Sequence, residues 1–273
     1  MKSKHRHTLV IGFVIVSILA ACGKQAQPAP ISNPSSVETA LASTARALAQ
    51  QTETANGYTA TPAVTPTETP TPTPKISLYG TSLITREDGS TLFVDHNAGV
   101  QLMIPAGWLP IRANEDEYYK AFALDVVLEN PPINNYLTQI QDLKPDYQRL
   151  DAIDIRPDHI PDGVISDISV IFDSEKVWSL EKWRQEEWNR KRPFTGYRVL
   201  SSNYATTQSG VKILISEQTW TAVGGKATVY YRAAFFSLPT GTFVLIMVTN
   251  KNVKDTILPE FEQVLNSITP LNP

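Results

Sequence analysis

Apolar positions fall into three regimes along this chain. Leu9 to Ala21 is apolar at every position except Ser17. A helix needs about 20 such residues to cross a bilayer core, so this stretch is too short for a permanent span. Ser35 to Thr54 carries Val37, Leu41, Ala45 and Leu48 at helical intervals, with Ser35 and Glu38 at capping-box spacing. The stripe is thin, which predicts a partly helical spacer; a partner-binding helix is the alternative. From Ile76 onward the apolar positions become dense enough for a core.

In that third regime, Leu83–Arg86 and Thr91–Val94 flank Glu87-Asp88-Gly89-Ser90 and read as a hairpin. Gly99–Ile104 is the next strand, ended by Pro105-Ala106-Gly107, where the chain turns and lays Trp108 on the domain. Asn114 to Leu128 predicts a helix with Asn114 as cap and Glu115, Asp116 and Glu117 in its first turn. Asn130-Pro131-Pro132 stops it, and Ile133–Leu143 forms a second. Arg149–Ile155 and Val164–Phe172 alternate as half-buried strands, separated by a loop containing Pro157 and Pro161.

Ser179 caps a helix to Arg190. Four β-rich runs follow, Gly196–Tyr204, Val211–Thr221, Ala227–Phe236 and Thr242–Thr249, joined by turn-forming residues that favour an antiparallel meander. Ile257, Leu258, Phe261, Val264, Leu265 and Ile268 form a helical stripe. Pro259 predicts a helix start or bend near Leu258. The order of elements gives an α+β class, an antiparallel sheet flanked by helices, for a single domain over 76–273.

Composition changes the reading of the first 75 residues. Lys2, Lys4 and Arg6 precede the short apolar run, as in an export signal. Leu19-Ala20-Ala21-Cys22 then matches a lipobox. This resembles substrates of the bacterial lipoprotein pathway, which implies cleavage after a signal peptide of residues 1–21 and a diacylglycerol on the Cys22 sulfur, palmitate-type acylation included. Cys22 is the only cysteine, so no disulfide is available to the core. Thr61–Pro74 contains five prolines and six threonines in fourteen residues, a disordered Thr/Pro-rich stalk of polyproline II character. The expected tether is thus 22–75.

Loss of the signal removes three of 24 basic residues and none of 27 acidic ones, leaving 21 − 27 = −6. That balance argues against nucleic acid or an anionic lipid surface as partner.

The strand ending in Pro-x-Gly-Trp, Val100 to Trp108, and the pattern Phe261-x-x-Val264-Leu265-x-Ser267-Ile268 resemble the PsbP/Mog family over about residues 92–271. The resemblance implies a PsbP/Mog-like sandwich, an antiparallel sheet with flanking helices. Asn114 to Ile171 departs from the compact members. Family membership implies little about role, since it spans photosystem extrinsic subunits, a Ran-binding factor and bacterial lipoproteins of unknown function.

Chemistry is sparse. There is no Gly-x-Ser-x-Gly elbow, Gly-rich phosphate loop or His-Glu-x-x-His, and only His96 and His159 remain after signal removal. Asp154, Asp158, His159 and Asp162 have the residue types for a divalent cation or acid/base work, yet turn capping by Asp158 and Asp162 explains them more simply. Of Trp178, Trp183 and Trp188, the last two stand about 140° apart on a helix, so both cannot be central in one stripe. Trp183 belongs in the core and Trp188 at its edge, or at a partner contact.

The expectation is therefore a membrane-anchored, extracytoplasmic, non-catalytic module with no cofactor and no metal, binding a protein, glycan or small ligand. A structural subunit of an envelope complex and a hydrolase using the aspartate cluster are the alternatives.

Overall fold

The computed structural model describes residues 75–271 apart from Lys191. The expected signal peptide 1–21, the lipidation site Cys22 and the tether as far as Pro74 lie outside the described residues.

Strands β1 (Thr81–Thr85), β2 (Thr91–Asp95) and β3 (Val100–Ile104) form an antiparallel meander. The β1–β2 turn is the Asp-Gly turn read in the sequence. Asp88 Oδ1 accepts from the Ser90 amide at 2.9 Å and its hydroxyl at 2.6 Å, and Gly89 supplies the positive φ of 80°. At Gly107 (φ 89°) the chain leaves this sheet, and Trp108 begins β4 (Trp108–Ile111), the edge strand of a larger sheet.

The predicted helix over 114–128 is two helices, α1 (Asp116–Ala121) and α2 (Asp125–Leu128). Asn114 is not a cap: it has φ 64°, and Glu115 stands at the N-cap without a side-chain cap bond. Packing accounts for the break. On one continuous helix Val127 would lie about 180° from Tyr118; the extended backbone at Leu124 turns Val127 back into the core beside Tyr118 and Ala121. Helix α3 (Pro131–Ile140) uses Pro131 and Pro132 in its first turn, where no amide partner is needed, so these prolines start a helix as well as stopping one. Ile133, Tyr136, Leu137 and Ile140 face inward.

Strands β5 (Gln148–Asp154) and β6 (Asp167–Asp173) are buried at every position, not half-buried. Helix α4 (Leu180–Asn189) follows, with Ser179 Oγ accepting from the Lys182 amide as its cap. Then come β7 (Arg198–Thr206), β8 (Lys212–Thr221), β9 (Thr228–Leu238) and β10 (Gly241–Asn250), the expected meander. Helix α5 (Lys254–Ser267) leads into β11 (Thr269–Pro270), which pairs with β3. Pro259 lies inside α5, neither at a start nor at a helix end. It sits on the exposed side, and the carbonyl it leaves without a helical donor belongs to exposed Asp255, where water can serve it.

The larger sheet has the order β4-β5-β6-β10-β9-β8-β7, antiparallel throughout, and the smaller has β1-β2-β3-β11. The seven-stranded sheet is the middle layer of an α+β fold. One face packs against α1 to α4 through Tyr118, Leu137, Ile171, Trp183, Trp220 and Tyr231. The other packs against α5 and the small sheet through Phe93, Leu102, Phe236, Phe243 and Phe261. Having helices or a second sheet on both faces is why the central strands carry apolar side chains at successive positions instead of alternating. A buried ion pair ties the layers together: Arg149 Nε meets Asp95 Oδ2 at 2.8 Å, and the same guanidinium donates to the carbonyls of Pro145 and Tyr79.

Candidate functional site

Helix α4 has two chemically distinct sides. Trp183 is buried against the sheet, 3% exposed; its ring stacks on Phe235 at 4.9 Å and its Nε1 donates to Thr242 Oγ1 at 3.1 Å. Glu187, one turn on, points the same way. Trp188 stands on the other side with 62% of its surface exposed. Glu181, Arg184, Gln185 and Trp188 follow i, i+3, i+4, i+7 spacing and so share one face. With Asn189 they line a surface groove of about 240 Å³.

Strand β7 supplies a second exposed ring. The Tyr204 hydroxyl donates to Glu181, and Arg184 lies 5.8 Å from the Tyr204 ring centroid. Gln185 Nε2 also donates to Glu181, at 3.1 Å. The bond from Tyr204, with that from Gln185, holds the Glu181 carboxyl below its usual range. The face therefore presents one free indole ringed by a guanidinium, a carboxylate and two amides.

Beneath α4, Glu187 is fully buried and paired with Arg190 Nη2 at 2.7 Å and Gln218 Nε2 at 2.8 Å. Glu187 and Arg190 border a cavity of about 20 Å³ lined also by Tyr147, Trp183 and Tyr231, room for about one water. Burial pushes the Tyr231 hydroxyl well above its ordinary pKa. The sequence reading passed over Glu187, although its i+4 spacing from Trp183 places it on the buried face.

The structure gathers three of the four residues of the aspartate loop. Asp154, buried at the end of β5, accepts from Arg156 Nε and Nη2, each at 2.7 Å, and from the Arg156 amide. His159 Nδ1 lies 2.7 Å from Asp154 Oδ2, and Asp158 Oδ2 lies 3.8 Å from His159 Nε2 with its side chain largely in solvent. Asp162 is apart, in left-handed backbone (φ 56°), 3.3 Å from Asn250 Nδ2. Asp154 closes the turn that enters this loop, its Oδ1 accepting from the Arg156 amide at 3.0 Å.

The remaining reach of Arg156 is to Glu260 on α5, 2.7 Å at both carboxylate oxygens, and Trp108 Nε1 donates to the same Glu260. Those bonds, Glu260 first and Asp154 next, raise the Arg156 pKa further. The group clamps the loop to α5. Among the described residues no set of three or more His, Cys, Asp or Glu side chains is arranged to hold a metal ion.

A second carboxyl pair was not legible. Asp151 on β5 lies opposite Ser169 on β6, on the face covered by α3, and Asp167 is two residues away on the same face. Ser169 Oγ is 2.9 Å from both Asp151 Oδ1 and Asp167 Oδ2. One hydroxyl hydrogen serves only one of these contacts; the other needs a proton on the carboxyl. Asp151 Oδ1 also accepts from Gln148 Nε2 at 2.8 Å and from the Tyr136 hydroxyl at 3.4 Å. The arrangement is a relay in which protonated Asp167 donates to Ser169 and Ser169 donates to Asp151. Burial, opposed by these three donors, raises Asp151 from 3.8 to about 6. Burial and the neighbouring Asp151 charge push Asp167 up further.

No protein-family model matches the chain, and no curated protein matches it in sequence. Solved structures similar to it include the following three. Cyanobacterial PsbP (CyanoP) of Synechocystis matches at TM-score 0.43 and 12% identity, over 68% of this chain and 94% of that one. A Pseudomonas aeruginosa protein of unknown function matches at 0.34 and 12%, over 40% and 74%. LpqN of Mycobacterium tuberculosis, involved in cell envelope biogenesis, matches at 0.32 and 14%, over 44% and 70%. These likenesses concern the course of the chain, and none of those proteins' roles is carried over.

Proposed function

We propose that this chain is a lipid-anchored, extracytoplasmic binding module, without catalytic activity of its own, whose α4 face takes a glycan. The observation that supports the reading is the exposed Trp188 indole in a groove walled by Glu181, Arg184, Gln185 and Asn189. A sugar ring offers C–H groups to an aromatic face and hydroxyls to planar polar side chains around it, and this groove holds both kinds of partner. Attachment rests on the Leu19–Cys22 lipobox. No helix among the described residues is long and apolar enough to cross a membrane.

The test is titration of the full-length chain in detergent with a panel of defined oligosaccharides, followed by tryptophan fluorescence and calorimetry. Saturable binding by the wild type and its loss in Trp188→Ala is the expected result. Because Trp188 is exposed, its removal should change stability by no more than about 0.5 kcal/mol. Binding that survives in Trp188→Ala, or a wild type that binds no oligosaccharide, would overturn the assignment.

A further inference from the structure

Just past the C-terminal end of α4, four buried hydrogen-bond donors have no acceptor among the described residues: Arg192 Nε and Nη2, Tyr197 Oη and Trp220 Nε1. They gather around one ring. The Arg192 guanidinium carbon lies 5.5 Å from the Tyr231 centroid, and the Trp220 ring lies 6.0 Å from it. Phe194 stacks on the outer side of Trp220 at 5.2 Å. Arg192 stands within reach of the Tyr197 hydroxyl oxygen, and its charge and that loose contact oppose the rise that burial gives the Tyr197 pKa; the contact is too poorly aligned to satisfy the guanidinium and leaves the phenol hydrogen free.

The neighbouring charges do not supply what is missing. Glu187, the carboxylate in this region, is engaged with Arg190 and Gln218. Among the described residues Arg192 forms no ion pair within 4.0 Å. A buried donor without an acceptor costs roughly 1 to 3 kcal/mol, more when it is charged. Four of them around one aromatic floor, two carried by the Arg192 guanidinium, are complementary to a group rich in lone pairs and negative charge. Arg192, Phe194 and Tyr197 are partly buried residues, and the unpaired polar atoms of Arg192 and Tyr197 lie on the inward side. On the inner side, Gln218 Oε1 is a buried acceptor without a donor and suits a ligand hydroxyl.

We infer that Arg192, Tyr197 and Trp220 form an anion site that takes a carboxylate or phosphate group of a small hydroxylated ligand, with Tyr231 and Phe194 as its walls. The fork of Arg192 grips two oxygens of the anion, and the phenol and indole donate to the remaining lone pairs. The site is independent of the Trp188 groove and stands whether or not that groove binds a glycan.

The experiment is an NMR titration of the full-length chain in detergent, following the Trp220 indole N–H and the Arg192 Nε–H signals, with inorganic phosphate and with glucuronate. A saturable shift of both signals with either probe is expected, with the Trp108 indole, engaged with Glu260 on the other face of the sheet, as an internal reference that does not move in parallel. Response to phosphate alone or glucuronate alone assigns the anion class. Arg192→Gln should weaken binding by about tenfold or more, and Arg192→Lys, which keeps the charge but not the fork, should fall between. Absence of a saturable shift with both probes in the wild type would overturn the site and leave buried water as the donors' partner. Unchanged affinity in a folded Arg192→Gln would overturn it equally. Should that variant fail to fold, the wild-type titration decides.

Discussion

Raising the pH should destabilise this fold over a range in which most proteins gain stability, because two carboxyl groups are buried without a cation. Asp151 moves from 3.8 when solvated to about 6 when folded. A carboxyl whose folded pKa is raised binds its proton more tightly in the native state. Its stabilisation is therefore complete below about pH 4 and is lost as the pH rises through about 6. The interval between 3.8 and about 6 corresponds to about 3 kcal/mol for this one group. Asp167, which burial and the Asp151 charge also push up, adds a loss of the same sign.

Urea unfolding of the full-length chain at steps from about pH 4 to about pH 8 measures this directly. The free energy of unfolding should fall by several kcal/mol, with its steepest part between about pH 4 and about pH 6. Asp151→Asn mimics the protonated acid, keeps the acceptor for Gln148, Ser169 and Tyr136, and removes the charge that disfavours ionisation of Asp167. Its profile should be shallower, and Asp151→Asn with Asp167→Asn should remove the slope. A wild-type stability that is flat or rises from about pH 4 to about pH 8, or a double variant with the wild-type slope, would refute the protonated relay.

Trp183→Ala and Phe261→Ala, one on each face of the central sheet, should each cost about 3 to 5 kcal/mol in urea unfolding; values below about 1 kcal/mol at both would contradict the two-faced core. Cys22→Ser should abolish lipid attachment, and metabolic labelling with a palmitate analogue should then leave the chain unlabelled; label retained in the variant would remove the anchor.

What the sequence made legible follows from local chemistry. The Asp88-Gly89 turn, the stripe from Ile257 to Ile268 and the turns of the β7–β10 meander are set by residues near one another in the chain, and they were read correctly. So was the division of labour between Trp183 and Trp188, because helical geometry alone separates them. The misses share a different origin. Alternation in β5 suggested one wet face holding Arg149 and Asp151, but the register shift between Gln148 and Leu150 turns Arg149 toward Asp95 of the small sheet while Asp151 meets Ser169 under α3, so both are covered, on opposite faces. The break at Leu124 serves the burial of Val127, which no local pattern announces. Arg156 and Glu260 are 104 positions apart, so the loop that looked like four free ligands could not be recognised from within as a clamp. Whether Arg192 and Trp220 belong to one site is likewise a matter of tertiary approach.

The pairing of β11 with β3 carries a consequence for how the molecule is made. Thr269 faces Gln101 across the small sheet, and Ile268 beside it is buried with Phe93 and Leu102. The sheet begun by some of the earliest residues of the folded region is therefore closed by some of the latest, and the central sheet likewise waits for β10 to join β6 to β9. Such distant pairings make folding slow. A chain threading through a membrane in extended form would gain from this delay: with β10 and β11 still on the near side, the emerged part has no closed sheet to lock into. Under the export proposed above, the native topology would assemble in one piece after passage, with the strand order itself acting as a timer on folding.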